Sequence, residues 1–173
     1  MGSGLALFTL VHVAISLVAI GTGLVTAGGL LSSRRMERMT AAFLATTVAT
    51  SATGFFFPFT GFLPSHAFAI LSLLVLPVAL YALYGRRLTG WWRVVYVVTA
   101  MFALYLNCFV LVAQLFLRLP ALKELAPKQA EPPFLVSQLV VLALFAGLTV
   151  LAVVRFRPAL SPAVQPAIGG GPA

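Results

Sequence analysis

The chain has 173 residues, of which 61% are hydrophobic and only 8% are charged, and its mean hydropathy is +1.08. Soluble globular domains carry about 25% charged residues, so this composition excludes an ordinary soluble domain. The formal charge of +8 does not indicate nucleic-acid binding, because the basic residues fall into short clusters between long uncharged stretches. We therefore expect a protein of the lipid bilayer with no nucleic-acid partner.

Four stretches of the sequence contain no Asp, Glu, Lys or Arg: 2–33, 39–85, 94–117 and 132–154. A helix needs roughly 20 apolar residues to cross the hydrocarbon core, and the second stretch is long enough for two such helices with a turn between them. In chain order this predicts membrane helices over about 5–31, 39–57, 66–84, 92–117 and 134–154. The expected fold is an all-α integral membrane protein, a five-transmembrane-helix bundle that occupies residues 1–157.

The first two predicted helices carry small residues at a spacing of four, which lets helix backbones approach closely in a membrane. They are Ala19, Gly23 and Ala27 on the first helix, and Ala42, Thr46, Thr50 and Gly54 on the second. We expect these two helices to pack tightly together, or to offer these faces to a partner membrane protein. A phenylalanine-rich turn, GFFFPFTGFLPSH over 54–66, then leads into the third helix.

Between the fourth and fifth predicted membrane helices lies a more polar segment, residues 118–134. Leu119, Leu122 and Leu125 recur every three residues, which predicts a short interfacial helix. Glu131 precedes two prolines that suit the first turn of a helix, where a carboxylate also meets the positive end of the helix dipole. We therefore interpret Glu131 as a capping residue.

The distribution of basic residues predicts the orientation of the bundle. One side of a five-helix chain receives eight arginines: Arg34, Arg35, Arg38, Arg86, Arg87, Arg93, Arg155 and Arg157. The other side receives Arg118, Lys123 and Lys128, diluted by Glu124 and Glu131. By the positive-inside rule the N-terminus is expected outside and the C-terminus in the cytoplasm of a bacterial inner membrane. The segment 158–173, rich in Pro, Ala and Gly, is expected to be a disordered cytoplasmic tail.

The interiors of the predicted helices contain no Asp, Glu, Lys or Arg, which disfavours ion-coupled transporters and proton pumps. Five histidine and side-chain amide residues lie in the outer half of the membrane or near its middle: His12, His66, Asn107, Gln114 and Gln138. His12 shares a helix face with the small residues of the first helix, so it should point into the bundle. We expect these side chains to line an outer pocket for a small hydrophobic ligand or cofactor.

Three hypotheses about this cluster stay open. The side chains can hold the helices in register by hydrogen bonds, line a pocket for a lipid or other amphiphile, or bind haem b through His12 and His66. No metal site or catalytic set is expected, because neither histidine has a Cys, Asp or Glu at ligand spacing. Cys108, the single cysteine, is interpreted as a small apolar filler.

The favoured functional hypothesis is therefore a non-catalytic membrane protein that binds a small hydrophobic ligand or cofactor. The alternative is a structural or assembly subunit of a larger membrane complex, and the third hypothesis is a haem b-binding redox subunit. Three segments, TGFFFPF, WWRVVYVVTAMFALYLN and PALKELAPKQAEPPFLVSQLVVL, resemble those of an uncharacterised family of small bacterial multi-pass membrane proteins. The resemblance covers most of residues 10–157. It implies a free-standing small membrane protein and no assigned activity.

Overall fold

The computed structural model describes residues 3–57 and 64–157, of which 64 and 65 are described by their backbone only. The expected tail over 158–173 and residues 58–63 of the phenylalanine-rich turn lie outside the described residues. The described part contains six α-helices and no strand: α1 (Ser3–Leu31), α2 (Glu37–Thr53), α3 (Pro64–Leu80), α4 (Trp92–Arg118), α5 (Pro120–Leu125) and α6 (Pro132–Arg155). A 3₁₀ turn, Gly54–Phe56, extends α2, and a π-helical turn, Tyr81–Gly85, extends α3.

All of these helices except α5 are long and apolar enough to cross a membrane, which gives five candidate spans. The all-α fold and the five spans predicted from the uncharged stretches are confirmed, and the chain is a multi-pass membrane protein. The short α5 lies where the leucine spacing predicts an interfacial helix. Large apolar side chains cover the exposed faces of the long helices, as expected for contact with lipid; examples are Leu10, Leu74 and Val150.

The small residues of α1 lie at its interface with α2, its most extensive helix contact. Ala19, Gly23 and Ala27 are all buried, as the spacing predicts. On α2 the buried side is offset from the predicted one, since Ala42 and Thr46 are only partly buried. Its buried residues are Thr40, Phe43, Leu44, Thr47, Thr50 and Ser51.

The central helix is α4, which contacts α1, α3, α5 and α6. Its buried face is mostly apolar and includes Val97, Met101 and Leu104. These side chains pack against Phe43 of α2 and Leu76 of α3 in one hydrophobic core. Close packing of this kind holds helices together in lipid, where burial of apolar surface alone gives no advantage.

Consecutive long helices run in opposite directions, because residues near the start of one helix contact residues near the end of the other. The contacts are Phe68–Phe109 and Tyr81–Trp92 for α3 and α4, and Arg93–Val153 and Phe116–Phe134 for α4 and α6. The connections 32–36 and 86–91 therefore meet residues 156–157 at one end of the bundle, which we call the arginine end. The opposite end, with residues 54–57 and 119–131, is called the loop end.

At the arginine end, the last turn of α6 is tied to two other parts of the chain. Arg93 Nη1 on α4 donates hydrogen bonds to the carbonyl oxygens of Val153, at 2.8 Å, and Phe156, at 2.5 Å. The last carbonyls of a helix have no partner within the helix, so this guanidinium caps α6. The backbone N–H of Arg157 donates to Ser33 Oγ at 2.8 Å, which joins α6 to the connection between α1 and α2.

Candidate functional site

Towards the loop end, His12 is bound to α2 rather than directed at open space. Its Nδ1 lies 2.8 Å from Thr53 Oγ1. The Thr53 hydroxyl donates its single proton to the Ala49 carbonyl oxygen at 2.7 Å, so we assign the proton between the two side chains to His12 Nδ1. The imidazole also contacts the Phe57 ring edge-on, with centroids 5.1 Å apart.

One turn further along α1, Ser16 makes a second polar link to α2. Its hydroxyl donates to the His12 carbonyl oxygen at 2.8 Å and is in hydrogen-bond contact with Thr50 Oγ1. Because the Ser16 proton is used on the carbonyl, Thr50 donates to Ser16. Each hydroxyl of Ser16, Thr50 and Thr53 therefore donates its proton within the protein, and this polar network holds α1 against α2.

The three amides of the predicted pocket have separate surroundings. Asn107 Nδ2 donates to Thr47 Oγ1 at 3.1 Å, which links α4 to α2. Gln138 Nε2 donates to the Phe109 carbonyl oxygen at 3.2 Å, which links α6 to α4; its Oε1 is buried and has no partner within the described residues. Gln114 is exposed on α4.

His66 is buried near the start of α3, with its ring stacked on Phe55 at a centroid distance of 5.8 Å. The contacts of His12, Asn107 and Gln138 are those expected if such side chains hold helices in register. That the five residues line a common ligand pocket, and that the two histidines bind haem, stay predictions.

An apolar layer separates this polar network from the arginine end. A Cβ atom built on Gly23 would lie 2.5 Å from Leu104 Cδ1 and 2.9 Å from Phe43 Cδ2. Phe43 and Leu104 are each only 1% exposed, so α1, α2 and α4 meet here without intervening space. Along α1, the layer lies between Ser16 and Thr26.

Beyond this layer, a cavity of about 410 Å³ opens at the arginine end. We call it the arginine cavity. It lies between the end of α1, the start of α2, the π-helical turn after α3, the start of α4 and the residue that follows α6. The lining residues are Thr26, Leu30, Arg34, Arg35, Met36, Glu37, Thr40, Leu83, Tyr84, Arg87, Leu88, Tyr96 and Phe156.

The arginine cavity has a buried floor and an exposed rim. The floor combines hydroxyl-bearing side chains, Thr26, Thr40 and Tyr96, with apolar side chains such as Leu30 and Phe156. The rim carries the exposed residues Arg34, Arg35, Glu37, Tyr84 and Arg87. A volume of this size falls within the range of about 300–1,000 Å³ that small-molecule sites occupy.

The charges on the rim are unbalanced, with three arginines against the single carboxylate of Glu37. Within the described part of the chain, the guanidinium groups of Arg34, Arg35 and Arg87 form no salt bridge and no hydrogen bond. Two of these arginines come from the connection between α1 and α2, and the third comes from the connection between α3 and α4. An anion that enters the cavity therefore meets donors from both connections.

The backbone of both connections adopts left-handed conformations at the rim. Ser33 has φ of 55°, and the consecutive residues Arg87 and Leu88 have φ of 50° and 61°. Such values are uncommon for residues other than glycine and cost about 1–2 kcal/mol each. The turn leaves Arg87 exposed and buries Leu88, whose N–H donates to the Ala82 carbonyl oxygen at 3.1 Å. Strained backbone of this kind is typical of ligand-binding sites.

Several aromatic side chains lie at the arginine end. Tyr81, Tyr84 and Trp91 are exposed, Trp91 to 74%, and Tyr84 lines the cavity. The Arg86 guanidinium lies over the Trp92 ring, 5.5 Å from its centroid. Exposed Trp and Tyr side chains prefer the headgroup level of a membrane, so we expect this end of the bundle near the lipid headgroups.

Sequence reasoning missed this cavity, because it used the arginines only to orient the bundle. Two signals were available. Arg34–Arg35 and Arg86–Arg87 are paired arginines in two connections on the same side, and Thr26 and Thr40 lie a few residues inside the neighbouring spans. Which of these side chains share a cavity depends on how the helices are rotated.

Compared with family models, curated proteins and solved structures, the chain matches none of them.

Proposed function

We propose that this chain is a non-catalytic, ligand-binding membrane protein whose site is the arginine cavity and whose ligand is an anionic amphiphile. The observation that carries the proposal is the set of three guanidinium groups without ionic partners around a cavity with a partly apolar floor. This keeps the ligand class suggested by the sequence, a small hydrophobic molecule, and places its site at the opposite end of the bundle from the histidines.

The shape of the cavity supports an amphiphile over a small polar anion. Its rim carries exposed arginines and Tyr84, while the buried side chains of Leu30, Leu88 and Phe156 form part of its floor. A molecule with a charged head and an apolar tail satisfies both environments. A purely polar anion would leave the apolar lining without a partner.

The orientation inferred from the sequence gives the cavity a location. With the N-terminus outside and the C-terminus in the cytoplasm of a bacterial inner membrane, the arginine end faces the cytoplasmic leaflet. Basic pockets between membrane helices on that side are suited to anionic headgroups. We therefore infer that the ligand enters from the cytoplasmic leaflet or from the cytoplasm.

Native mass spectrometry in a neutral detergent tests the proposal. We expect purified protein to retain oleate or phosphatidylglycerol as one bound molecule, and to retain uncharged monoolein much less. The double variant Arg35→Gln/Arg87→Gln should lower affinity for the anionic amphiphiles about tenfold or more. The control Arg38→Gln/Arg155→Gln removes the same charge from exposed positions at the same end that do not line the cavity, and it should bind normally.

Two outcomes would contradict this function: retention of monoolein as strong as that of the anions, or equal losses in the two double variants. The haem hypothesis has a separate test. Protein expressed with haem supplied should show a Soret band that shifts on reduction and disappears in His12→Ala, and a blank spectrum would remove that hypothesis. The assembly-subunit hypothesis stays a prediction, testable by co-purification of a partner.

A further inference from the structure

We infer that the part of the ligand recognised by the arginine cavity is a phosphate monoester, held by guanidinium groups from both connections at the arginine end. This inference rests on the proposed function, because it names the chemical class of the headgroup that the same cavity binds. Three arginines from two separate connections line a single cavity, and within the described chain none of their guanidinium groups forms a salt bridge or a hydrogen bond.

The number of donors on the rim favours phosphate over carboxylate. Each guanidinium offers a planar fork of N–H groups that matches two oxygens of one anion. A carboxylate holds its two oxygens in one plane, so forks that approach from opposite sides compete for the same two atoms. A phosphate monoester has three unesterified oxygens arranged tetrahedrally, so forks from Arg34 or Arg35 on one side and Arg87 on the other can reach different oxygens. The rim thus suits a phosphate monoester better than a carboxylate or a phosphate diester, which each have two free oxygens.

The charge balance also favours a phosphate monoester. Three guanidinium groups and the Glu37 carboxylate leave a net charge of +2 at the rim, which exceeds the single charge of a carboxylate or a phosphate diester and is close to that of a phosphate monoester at neutral pH. Met36, the N-cap residue of α2, and Glu37 in its first turn both line the cavity, so the start of α2 lies at the rim.

The phosphate can belong to a lipid or to a soluble metabolite, and the surroundings of the rim favour a lipid. Tyr84 on the rim and Trp91 at the same end of the bundle have exposed rings of the kind that prefer the headgroup level, where phospholipid phosphates lie. The apolar lining near Leu30 and Phe156 can receive the first part of an acyl chain. A soluble phosphate ester would use the rim but not this lining.

Two lipids with the same acyl chains test the headgroup. Dioleoyl phosphatidic acid carries a phosphate monoester, and dioleoylglycerol hemisuccinate carries a carboxylate. We expect the protein to bind phosphatidic acid about tenfold more tightly than the hemisuccinate in native mass spectrometry. The variant Arg35→Lys/Arg87→Lys keeps both charges but loses the planar forks, so this preference should fall several-fold. Arg38→Lys/Arg155→Lys is the matched control and should keep it.

The source of the phosphate is decided by competition with glycerol 3-phosphate. Failure of glycerol 3-phosphate to displace bound phosphatidic acid supports a lipid, and displacement at comparable concentration supports a soluble phosphate ester. Equal binding of the hemisuccinate and phosphatidic acid overturns the phosphate inference and leaves the proposed function standing. If neither lipid is retained better than monoolein, both fail. A lysine variant with an undiminished preference would also overturn the role given to the guanidinium forks.

Discussion

Gly23 of α1 and Leu104 of α4 are so close that a Cβ atom at position 23 would lie 2.5 Å from Leu104 Cδ1. The ring of Phe43 closes the same point from α2. Because the Leu104 and Phe43 side chains pack directly against the backbone of α1 at this level, the distance between α1 and α4 depends on the glycine. This contact also separates the histidine network from the arginine cavity, so the two polar regions can be tested independently.

Replacing Gly23 with valine should destabilise the bundle. The added atoms must displace Leu104 and Phe43, and overpacking of this kind costs about 1–3 kcal/mol. Gly21→Val is the matched control, since a Cβ at position 21 meets nothing within 4 Å. Thermal unfolding in detergent, followed by tryptophan fluorescence, should show a clear loss of Tm for the first variant only. Equal Tm values for the two variants would contradict this prediction and show that Leu104 and Phe43 can move to accommodate the valine.

Substitution of Gly29 should affect ligand affinity at the arginine cavity more than the stability of the bundle. A Cβ at this position would lie 2.6 Å from Met36 Cγ and 3.0 Å from the Arg34 carbonyl oxygen. Gly29→Ala must therefore shift the connection that supplies two of the rim arginines, and we expect affinity for phosphatidylglycerol to fall several-fold. Gly28→Ala adds the same methyl group to open space and should bind as the unmodified protein does. Similar affinities for the two variants would contradict this account of the connection.

The His12–Thr53 hydrogen bond should give a small but measurable coupling between α1 and α2. Side-chain hydrogen bonds between membrane helices are worth about 0.6 kcal/mol on average in double-mutant cycles. We expect a value of that order from His12→Ala, Thr53→Val and the double variant, measured by reversible unfolding in mixed micelles. The pair His12 and Thr22 is the control, because Thr22 bonds only within α1 and should show no coupling.

At the loop end, Glu131 should make the 126–134 segment sensitive to acid. Partial desolvation alone would raise the pKa of Glu131, but its carboxylate accepts hydrogen bonds from the backbone N–H groups of Lys128 and Ala130, and these, with the nearby Lys128 charge, lower the pKa below its ordinary value. A lowered pKa means that the contribution to stability is complete above the pKa of the unfolded chain and is lost as pH falls through the folded value.

Hydrogen–deuterium exchange of this segment, corrected for intrinsic rates, should therefore accelerate between about pH 6 and about pH 3, on either side of the ordinary glutamate pKa of about 4.3. Glu131→Gln should remove most of this pH dependence, whereas Glu124→Gln removes an exposed carboxylate from α5 and should retain it. An unchanged pH profile in Glu131→Gln would mean that another group controls the segment.

The parts of the fold that follow from local composition could be predicted. Uncharged stretches identify the five spans, and small residues at a spacing of four identify the buried face of α1 around Gly23. Glu131 is the N-cap residue of α6, as its position before two prolines indicates. Its side chain, however, bonds backwards to Lys128 and Ala130 rather than into the helix, because the preceding turn presents those N–H groups to it.

For the helices other than α1, rotation about the helix axis could not be predicted, because polar residues are too few to mark a buried face. Gln114 illustrates this: it lies two turns from Asn107 on α4, yet it is exposed while Asn107 bonds to Thr47. Arg87 illustrates a second limit. Its place on the cavity rim depends on two consecutive left-handed residues, and neither Arg87 nor Leu88 is a residue type that signals such a turn.

The lining of the arginine cavity extends along the chain from Thr26 to Phe156, and Arg157 is joined to Ser33 across the same end. A ribosome that adds about 5–20 residues per second makes Phe156 roughly 10 s after Thr26. During that interval α1 and α2 can already be inserted in the bilayer, but the cavity still lacks Phe156, the last of its lining residues in the chain. If the proposed function holds, lipid retention requires the chain as far as Phe156 to be inserted and assembled, so a chain that is truncated before Phe156 or only partly inserted should fail to hold lipid.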